Sequence, residues 1–79
     1  MRLDKYLKVS RLIKRRTVAN EACDGGRVQI NGRVAKASQD VKVGDEIIIN
    51  FGNKDVRVRV LDIAETVRKE DAKDMFEYL

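Results

Sequence analysis

Residues 27 to 34 read Arg-Val-Gln-Ile-Asn-Gly-Arg-Val, and this stretch carries the clearest local structural signal in the chain. Val28 and Ile30 alternate with polar neighbours, which is typical of a half-buried β-strand. Asn31-Gly32 is the preferred pair for a type I′ turn, because both central residues of that turn need a positive φ. The segment therefore predicts a β-hairpin.

Beyond the hairpin, the sequence predicts two more strands of a small antiparallel sheet. Residues 36–42 are irregular, and Val43-Gly44-Asp45 indicates a turn into an apolar strand over residues 46–51. A second turn at Gly52-Asn53 leads into residues 55–61. In that segment valines alternate with polar residues, so we expect the valines to face inward and the two arginines outward.

A short helix is predicted at the amino end, from about residue 2 to residue 8. Asp4 would lie in its first turn, where a carboxylate favours the helix dipole, and it could pair with Lys8 four residues further on. The helix would bury the apolar residues at i, i+3, i+4 spacing, which are Leu3, Tyr6 and Leu7.

A second helix is predicted to start between Arg15 and Val18, with Thr17 as the best N-cap candidate. Gly25-Gly26 would end it in a left-handed conformation. The cysteine on its apolar stripe is expected to pack in the core rather than to react. The residues expected to face inward are Val18, Ala19, Ala22 and Cys23.

A final amphipathic helix is predicted from about Lys69 to the end of the chain, because Ala72, Met75, Phe76 and Leu79 fall at helical spacing. Its polar face is acidic, so we expect it to pack on the sheet and to avoid nucleic acid. Docking on a partner protein is the alternative. The predicted fold is α+β: one domain over residues 1–79, with two amino-terminal helices, a small antiparallel sheet with hairpins, and this last helix.

Lysine and arginine concentrate at the amino end. Residues 1–36 hold ten bases and three acids, whereas residues 37–79 hold seven bases and ten acids. The scarcity of acids for i,i+4 pairing favours a polyanion-binding face over a solvated helix surface. The predicted contacts are the bases up to residue 36: Arg2, Lys5, Lys8, Arg11, Lys14, Arg15, Arg16, Arg27, Arg33 and Lys36.

The sequence offers little for catalysis. There is no histidine, the commonest general base and metal ligand, and the single cysteine therefore has no histidine to activate it. No glycine-rich phosphate loop is present. We expect a protein that is not an enzyme and has no metal and no cofactor.

The same composition predicts a cytosolic protein that does not enter a membrane. No stretch approaches the roughly 20 apolar residues of a membrane span. The basic amino terminus is not followed by the apolar region of a secretory signal. One cysteine cannot form an internal disulfide and suits a reducing compartment.

DNA reading by a helix-turn-helix is disfavoured. The second helix is short and carries Glu21 and Asp24, with Asn20 as its only obvious base reader. Aromatic residues are scarce, so base stacking on a single strand would be minor. Recognition of backbone and shape remains, and this mode suits structured RNA.

These residues resemble the S-four RNA-binding domain, a module named after a small-subunit ribosomal protein. The resemblance is carried by Arg2-Leu3-Asp4, by Arg16 and Ala19, and by residues 26–32, with residues 43–47 similar to the usual strand entry. It implies that Arg2 and Arg16 are the key RNA contacts, supported by Lys5, Arg11, Lys14 and Arg15. Many such domains have a serine cap where this chain has Arg15, so Arg15 is a possible contact instead.

Residues 2–8 and 11–17 further resemble small stand-alone bacterial members called RqcP, relatives of a heat-shock protein that binds free large ribosomal subunits. This resemblance implies a monomer that binds ribosomal RNA and peptidyl-tRNA on obstructed large subunits. An RqcH-type partner would meanwhile extend the stalled chain with alanines. The alternatives are a general ribosomal RNA chaperone or large-subunit assembly factor, and a protein-interaction adaptor that uses the acidic last helix.

Overall fold

Five strands form one antiparallel sheet in the computed structural model, which describes residues 1–79 throughout. The strand order is β2-β1-β3-β4-β5, and the predicted α+β class is confirmed. From the amino end, the elements are helix α1 (Leu3–Val9), helix α2 (Arg16–Asp24), strands β1 (Val28–Ile30), β2 (Arg33–Val34), β3 (Glu46–Asn50) and β4 (Asp55–Val60), a 3₁₀ helix (Lys69–Met75) and strand β5 (Phe76–Tyr78).

The predicted hairpin joins β1 to β2 through a turn with two positive φ angles, 52° at Asn31 and 85° at Gly32. The Asn31 side chain also ties this turn to the start of β3. It donates to Asp45 Oδ1 at 3.1 Å and accepts from the Glu46 N–H at 3.0 Å. Asparagine therefore supplies both the left-handed backbone and the link that sets the β1–β3 register.

The two helices cover one face of the sheet, where a single hydrophobic core forms. Inward-facing strand residues alternate with exposed ones, as predicted for the valines of β4. The sixteen residues of the core cluster are Leu3, Tyr6, Leu7, Ile13, Ala19, Cys23, Val28, Ile30, Ala35, Ala37, Val41, Ile47, Ile49, Val58, Val60 and Met75.

Helix α2 starts at Arg16, within the predicted range, but its N-cap residue and its buried face differ from the prediction. Arg15 occupies the N-cap position with an extended backbone and no side-chain capping bond, so the prediction of Thr17 as N-cap is wrong. Val18 is 47% exposed, which corrects its predicted core position. The helix packs through Ala19 and Cys23, which are four residues apart on one stripe, and Val18 lies beside that stripe.

The glycine pair ends α2 as predicted. Gly26 has a φ of +82°, and its N–H bonds to the Cys23 carbonyl at 3.0 Å. The next N–H, from Arg27, bonds to the Ala22 carbonyl at 2.9 Å. These two bonds close the last helical turn in the manner of a Schellman motif and direct the chain into β1.

The structure of the carboxyl end corrects the prediction of a helix from about Lys69 to the end of the chain. The last helix is a 3₁₀ helix that ends at Met75, and the last residues form β5 along the edge of β4. The Met75 carbonyl accepts hydrogen bonds from the Tyr6 hydroxyl at 2.7 Å and from the Leu61 N–H at 2.8 Å. These bonds hold the chain where Phe76 can pair with the open edge of β4, so strand pairing outweighs the helical spacing.

Tyr6 and Cys23 are both fully buried, which confirms that each packs in the core. Burial raises the pKa of the Cys23 thiol to about 11, and the nearby charges of Asp4 and Asp24 act in the same direction. The thiol is therefore protonated at neutral pH and unreactive. No group of metal-ligating side chains forms in the structure, and none of the helices is long and apolar enough to cross a bilayer.

Candidate nucleic-acid interface

Nine of the ten basic residues predicted to bind RNA are exposed, and Lys5 is half-buried. Six of them lie on α1, on the loop that follows it, or at the first residue of α2. A shared carboxylate joins Arg2 and Arg16 into one cluster. Contact with RNA stays a prediction for all ten.

Asp4 is the organising residue of this surface. Its side chain is only 3% exposed, and Arg2 and Arg16 both reach it. Arg2 donates through Nε to Oδ1 at 3.2 Å and through Nη2 to Oδ2 at 3.4 Å. The Nε of Arg16 lies 3.4 Å from Oδ2. We name Arg2, Asp4 and Arg16 the arginine cluster; it brings together the first turn of α1 and the first residue of α2.

The remaining acceptor capacity of Asp4 is also used. The Asn20 amide donates to Oδ2 at 3.2 Å, and the Lys5 N–H donates to Oδ1 at 2.8 Å. Burial alone would raise the pKa of Asp4. The hydrogen bonds from Arg2, Asn20, Arg16 and the Lys5 N–H outweigh it and hold the pKa below its ordinary value.

One prediction about this cluster is therefore wrong. The Asp4 carboxylate is directed at the two arginines, and no ion pair with Lys8 forms. Asn20, the only obvious base reader on the second helix, donates to Asp4, which agrees with the argument against DNA reading. The three residues of the cluster are visible in the sequence, since Asp4 follows Arg2 by two positions and precedes Arg16 by twelve. Only the packing of the two helices shows that they meet.

The arginine cluster still has donors to offer a ligand. The side chains of Arg2 and Arg16 are 51% and 48% exposed, so about half of each faces solvent. Neither Nη1 of Arg2 nor the Nη nitrogens of Arg16 form a hydrogen bond within the protein. Two hydrogen bonds to Asp4 fix the plane of the Arg2 guanidinium group, and an ion pair with the same carboxylate holds Arg16 beside it, so both groups are positioned for phosphate oxygens.

Lys5 is a weaker part of this surface than its charge suggests. Its ammonium group pairs with Glu65, on the segment between β4 and the 3₁₀ helix. The hydrogen bond from Lys5 lowers the pKa of Glu65. Glu65 is 75% exposed, so the pair is a surface pair that a phosphate group can displace at low cost.

In the loop between the two helices, buried side chains anchor the backbone and exposed side chains carry positive charge. Ile13 and Ser10 are buried beneath it, with 6% and 2% exposed. Lys14 and Arg15 project from it without any acidic partner, and so does Arg11. Arg11 has a φ of 62°, a left-handed conformation that is unfavourable for a residue with a Cβ.

We expect Arg11→Gly to separate folding from binding. Glycine relieves the left-handed strain, so the free energy of unfolding should stay level or rise by up to about 1 kcal/mol. Loss of one charge should weaken binding to a structured RNA about two- to fivefold. Chemical denaturation and fluorescence anisotropy measure the two quantities.

Lys14→Gly is the matched control, because Lys14 is exposed in the same loop and has no positive φ. It should lose a similar factor in RNA affinity but also about 0.4–1 kcal/mol of stability, since glycine makes the unfolded chain more flexible. Equal losses of stability in both variants would show that the Arg11 backbone is unstrained.

Of the three predicted contacts on or near the hairpin, only Lys36 lies close to the first turn of α1. Lys36 precedes Ala37, whose carbonyl accepts from the Asp4 N–H at 3.2 Å, so the backbone brings Lys36 beside the start of α1. Arg27 lies between α2 and β1, and Arg33 lies on the edge strand β2. Neither makes a contact with the cluster, and their predicted place at its rim stays a prediction.

Comparison with known proteins places this geometry in a family. The model of the S4 domain, the S-four module, matches residues 1–47, which hold all of the predicted RNA contacts. A protein of Halalkalibacterium halodurans named RQC P-site tRNA stabilizing factor is 60% identical over 98% of this chain and 88% of its own length. Its namesake in Bacillus subtilis is 58% identical over 100% and 92%.

Solved structures agree. Heat Shock Protein 15 of Vibrio cholerae, described as trimeric, is 30% identical and superposes with a TM-score of 0.93 over 100% of this chain and 81% of that one. The solution structure of HP1423 gives a TM-score of 0.85 at 34% identity, over 100% and 96%. The chain thus belongs to the S4 domain family and, within it, to the family of RQC P-site tRNA stabilizing factors.

Proposed function

We propose that this protein is a non-catalytic RNA-binding factor of ribosome-associated quality control that stabilises tRNA in the P site of obstructed large ribosomal subunits. The arginine cluster carries the proposal. Two guanidinium groups from two helices are fixed on one buried carboxylate, and they lie in the part of the chain that matches the S4 domain. The names of the relatives, RQC P-site tRNA stabilizing factors, support the choice of tRNA as ligand.

The finer role follows from the charges on this face. Arg2, Arg16 and the bases of the loop between α1 and α2 extend over a surface that can contact two RNA segments at once. In our proposal one segment is ribosomal RNA and the other is peptidyl-tRNA. The protein holds the tRNA while an RqcH-type tailing factor adds alanines to the stalled chain. It acts as a monomer in the cytoplasm, bound to the ribosome.

Binding through phosphates does not require an enzyme mechanism. The cluster offers fixed donors and positive charge, which position and stabilise a bound RNA without making or breaking bonds. The thiol of the buried Cys23 is protonated at neutral pH, and the buried carboxylate of Asp4 is paired with two arginines. Neither group is free to act as a nucleophile or a general base.

Co-sedimentation tests the proposal. Purified protein is centrifuged with large subunits that carry peptidyl-tRNA, with the same subunits stripped of tRNA, and with small subunits. We expect at least tenfold more protein to pellet with the tRNA-bearing large subunits than with either control. Raising the salt concentration should release it steeply, as expected for phosphate contacts.

Each of the other outcomes points to a specific alternative. Equal binding to stripped large subunits would contradict the tRNA-holding role and support a general ribosomal RNA chaperone, as the similarity to Heat Shock Protein 15 also allows. Binding to small subunits alone would reject both. Ribosome binding that is lost on charge reversal in the 3₁₀ helix, but not in the arginine cluster, would support the protein-interaction adaptor.

A further inference from the structure

An open depression lies beside Arg16, at the start of α2. Its lining has no apolar side chain: Asp4 and Arg16 form one wall, and Thr17, Asn20 and Glu21 from α2 form the rest. Four of these five residues lie on α2, and Arg16 is the first residue of that helix. Any RNA whose phosphate is bound by Arg16 therefore places its adjoining sugar near this depression.

Glu21 is the unusual member of this lining. The basic half of the chain has three acids, and the other two are satisfied within the protein. Asp4 holds the two arginines, and Asp24 accepts a hydrogen bond from the Ala37 N–H at 3.0 Å. Glu21 is exposed and forms no ion pair. A free carboxylate beside a phosphate-binding arginine repels the phosphate backbone, so it weakens non-specific binding.

Two other polar side chains of the depression also offer acceptors. Asn20 donates one amide hydrogen to Asp4, and its Oδ1 has no partner within the protein. The Thr17 hydroxyl is exposed and makes no hydrogen bond in the protein. The depression thus offers a carboxylate, an amide oxygen and a hydroxyl, a set that favours a ligand bringing a hydrogen-bond donor.

A ribose next to a bound phosphate carries such a donor, because its 2′-hydroxyl can donate to a carboxylate or an amide oxygen. We propose that this depression is a ribose subsite that receives the 2′-hydroxyl of the nucleotide bound at Arg16. Glu21 and Thr17 thereby make the face selective for RNA over other polyanions. This inference rests on the proposed function, since it assumes an RNA phosphate at the arginine cluster.

The amino group of guanine, in the shallow minor groove of an RNA helix, is a second possible hydrogen-bond donor to this depression. The probe therefore has no guanine in its stem. The probe is an RNA stem-loop whose stem has only A–U pairs, made once with 2′-hydroxyl and once with 2′-fluoro ribose. Fluorine keeps the A-form shape but removes the donor. We expect the unmodified protein to bind the fluoro stem-loop about 5- to 20-fold more weakly, the effect of one or two hydrogen bonds.

The variant Thr17→Val/Glu21→Ala removes the two acceptors assigned to selectivity, the hydroxyl and the carboxylate, without disturbing the core, because both residues are exposed. We expect it to bind the two stem-loops equally, and to bind the fluoro form at least as tightly as the unmodified protein does, since a repelling carboxylate is gone. The matched control is Thr66→Val/Glu70→Ala, which loses the same groups from exposed positions that do not line this depression and should keep the 5- to 20-fold preference.

Three results would overturn the subsite. The unmodified protein binding both stem-loops equally would do so, and so would a preference that persists in Thr17→Val/Glu21→Ala. An equal loss of preference in the control variant would assign it to overall charge instead. Large-subunit binding that is retained in any of these cases leaves the proposed function standing, whereas failure to bind either RNA or the ribosome removes both.

Discussion

Asp4→Asn is expected to lower the free energy of unfolding by about 2–3 kcal/mol at neutral pH. Asparagine has nearly the shape of aspartate, so packing is preserved. The buried carboxylate, however, accepts from Arg2, from Asn20 and from the Lys5 N–H, and the charge of Arg16 lies beside it. The substitution also turns an amide NH₂ toward donors that need an acceptor. Urea denaturation monitored by circular dichroism measures the loss.

The pH dependence identifies the cause. The hydrogen bonds to Asp4 hold its pKa below the ordinary 3.8 in the folded state. Its ionised form therefore stabilises the fold fully above the unfolded pKa, and this contribution disappears as pH falls through the folded pKa. The difference in stability between the unmodified protein and Asp4→Asn should shrink over that range. A difference that stays constant down to the acid end would assign the loss to packing alone.

Asp40→Asn is the matched control, because it removes a carboxylate of the same type from an exposed pair. Asp40 is 61% exposed and pairs with the amino terminus at 2.7 Å. We expect a much smaller loss than for Asp4→Asn, as for other surface ion pairs. A loss as large as that of Asp4→Asn would show that burial of Asp4 is not what makes its contacts strong.

The hairpin could be predicted from the sequence because its cause is local. Asn31-Gly32 requires a conformation that few other residue pairs adopt, and Val28 and Ile30 have the strand period on one side of it. The end of α2 is equally local, since Gly26 supplies the left-handed stop within the segment itself. Features decided within a few neighbouring residues are those that sequence patterns describe well.

The arginine cluster and the carboxyl end could not be predicted, because contacts distant in sequence decide them. Spacing on one helix predicts Lys8 as the partner of Asp4, whereas its partners are Arg2, just before that helix, and Arg16 from α2. Helical spacing from Ala72 onward is real, yet the open edge of β4 captures Phe76 in a strand. In both cases tertiary pairing supplies more stabilisation than the local preference it overrides.

Replacing both arginines of the cluster with glutamine should lower large-subunit binding at least about 100-fold, since each charge-assisted contact contributes about 1.5–3 kcal/mol. Glutamine is the informative choice. Exposure alone predicts that alanine at Arg2 and Arg16 leaves the fold intact. Asp4 changes that, since alanine would leave a buried carboxylate without a cationic partner. Glutamine still donates to Asp4 but has no charge for phosphate.

The control variant must lose two positive charges at positions outside the arginine cluster. Arg57→Gln/Arg68→Gln lowers the net charge by two as well, and both residues are exposed without an ion pair, on β4 and before the 3₁₀ helix. Co-sedimentation with tRNA-bearing large subunits is measured for both double variants, with circular dichroism to verify folding. Binding that falls equally in the two variants would mean that only overall charge matters. Binding that falls at the cluster alone would assign recognition to two guanidinium groups held in place by one buried aspartate.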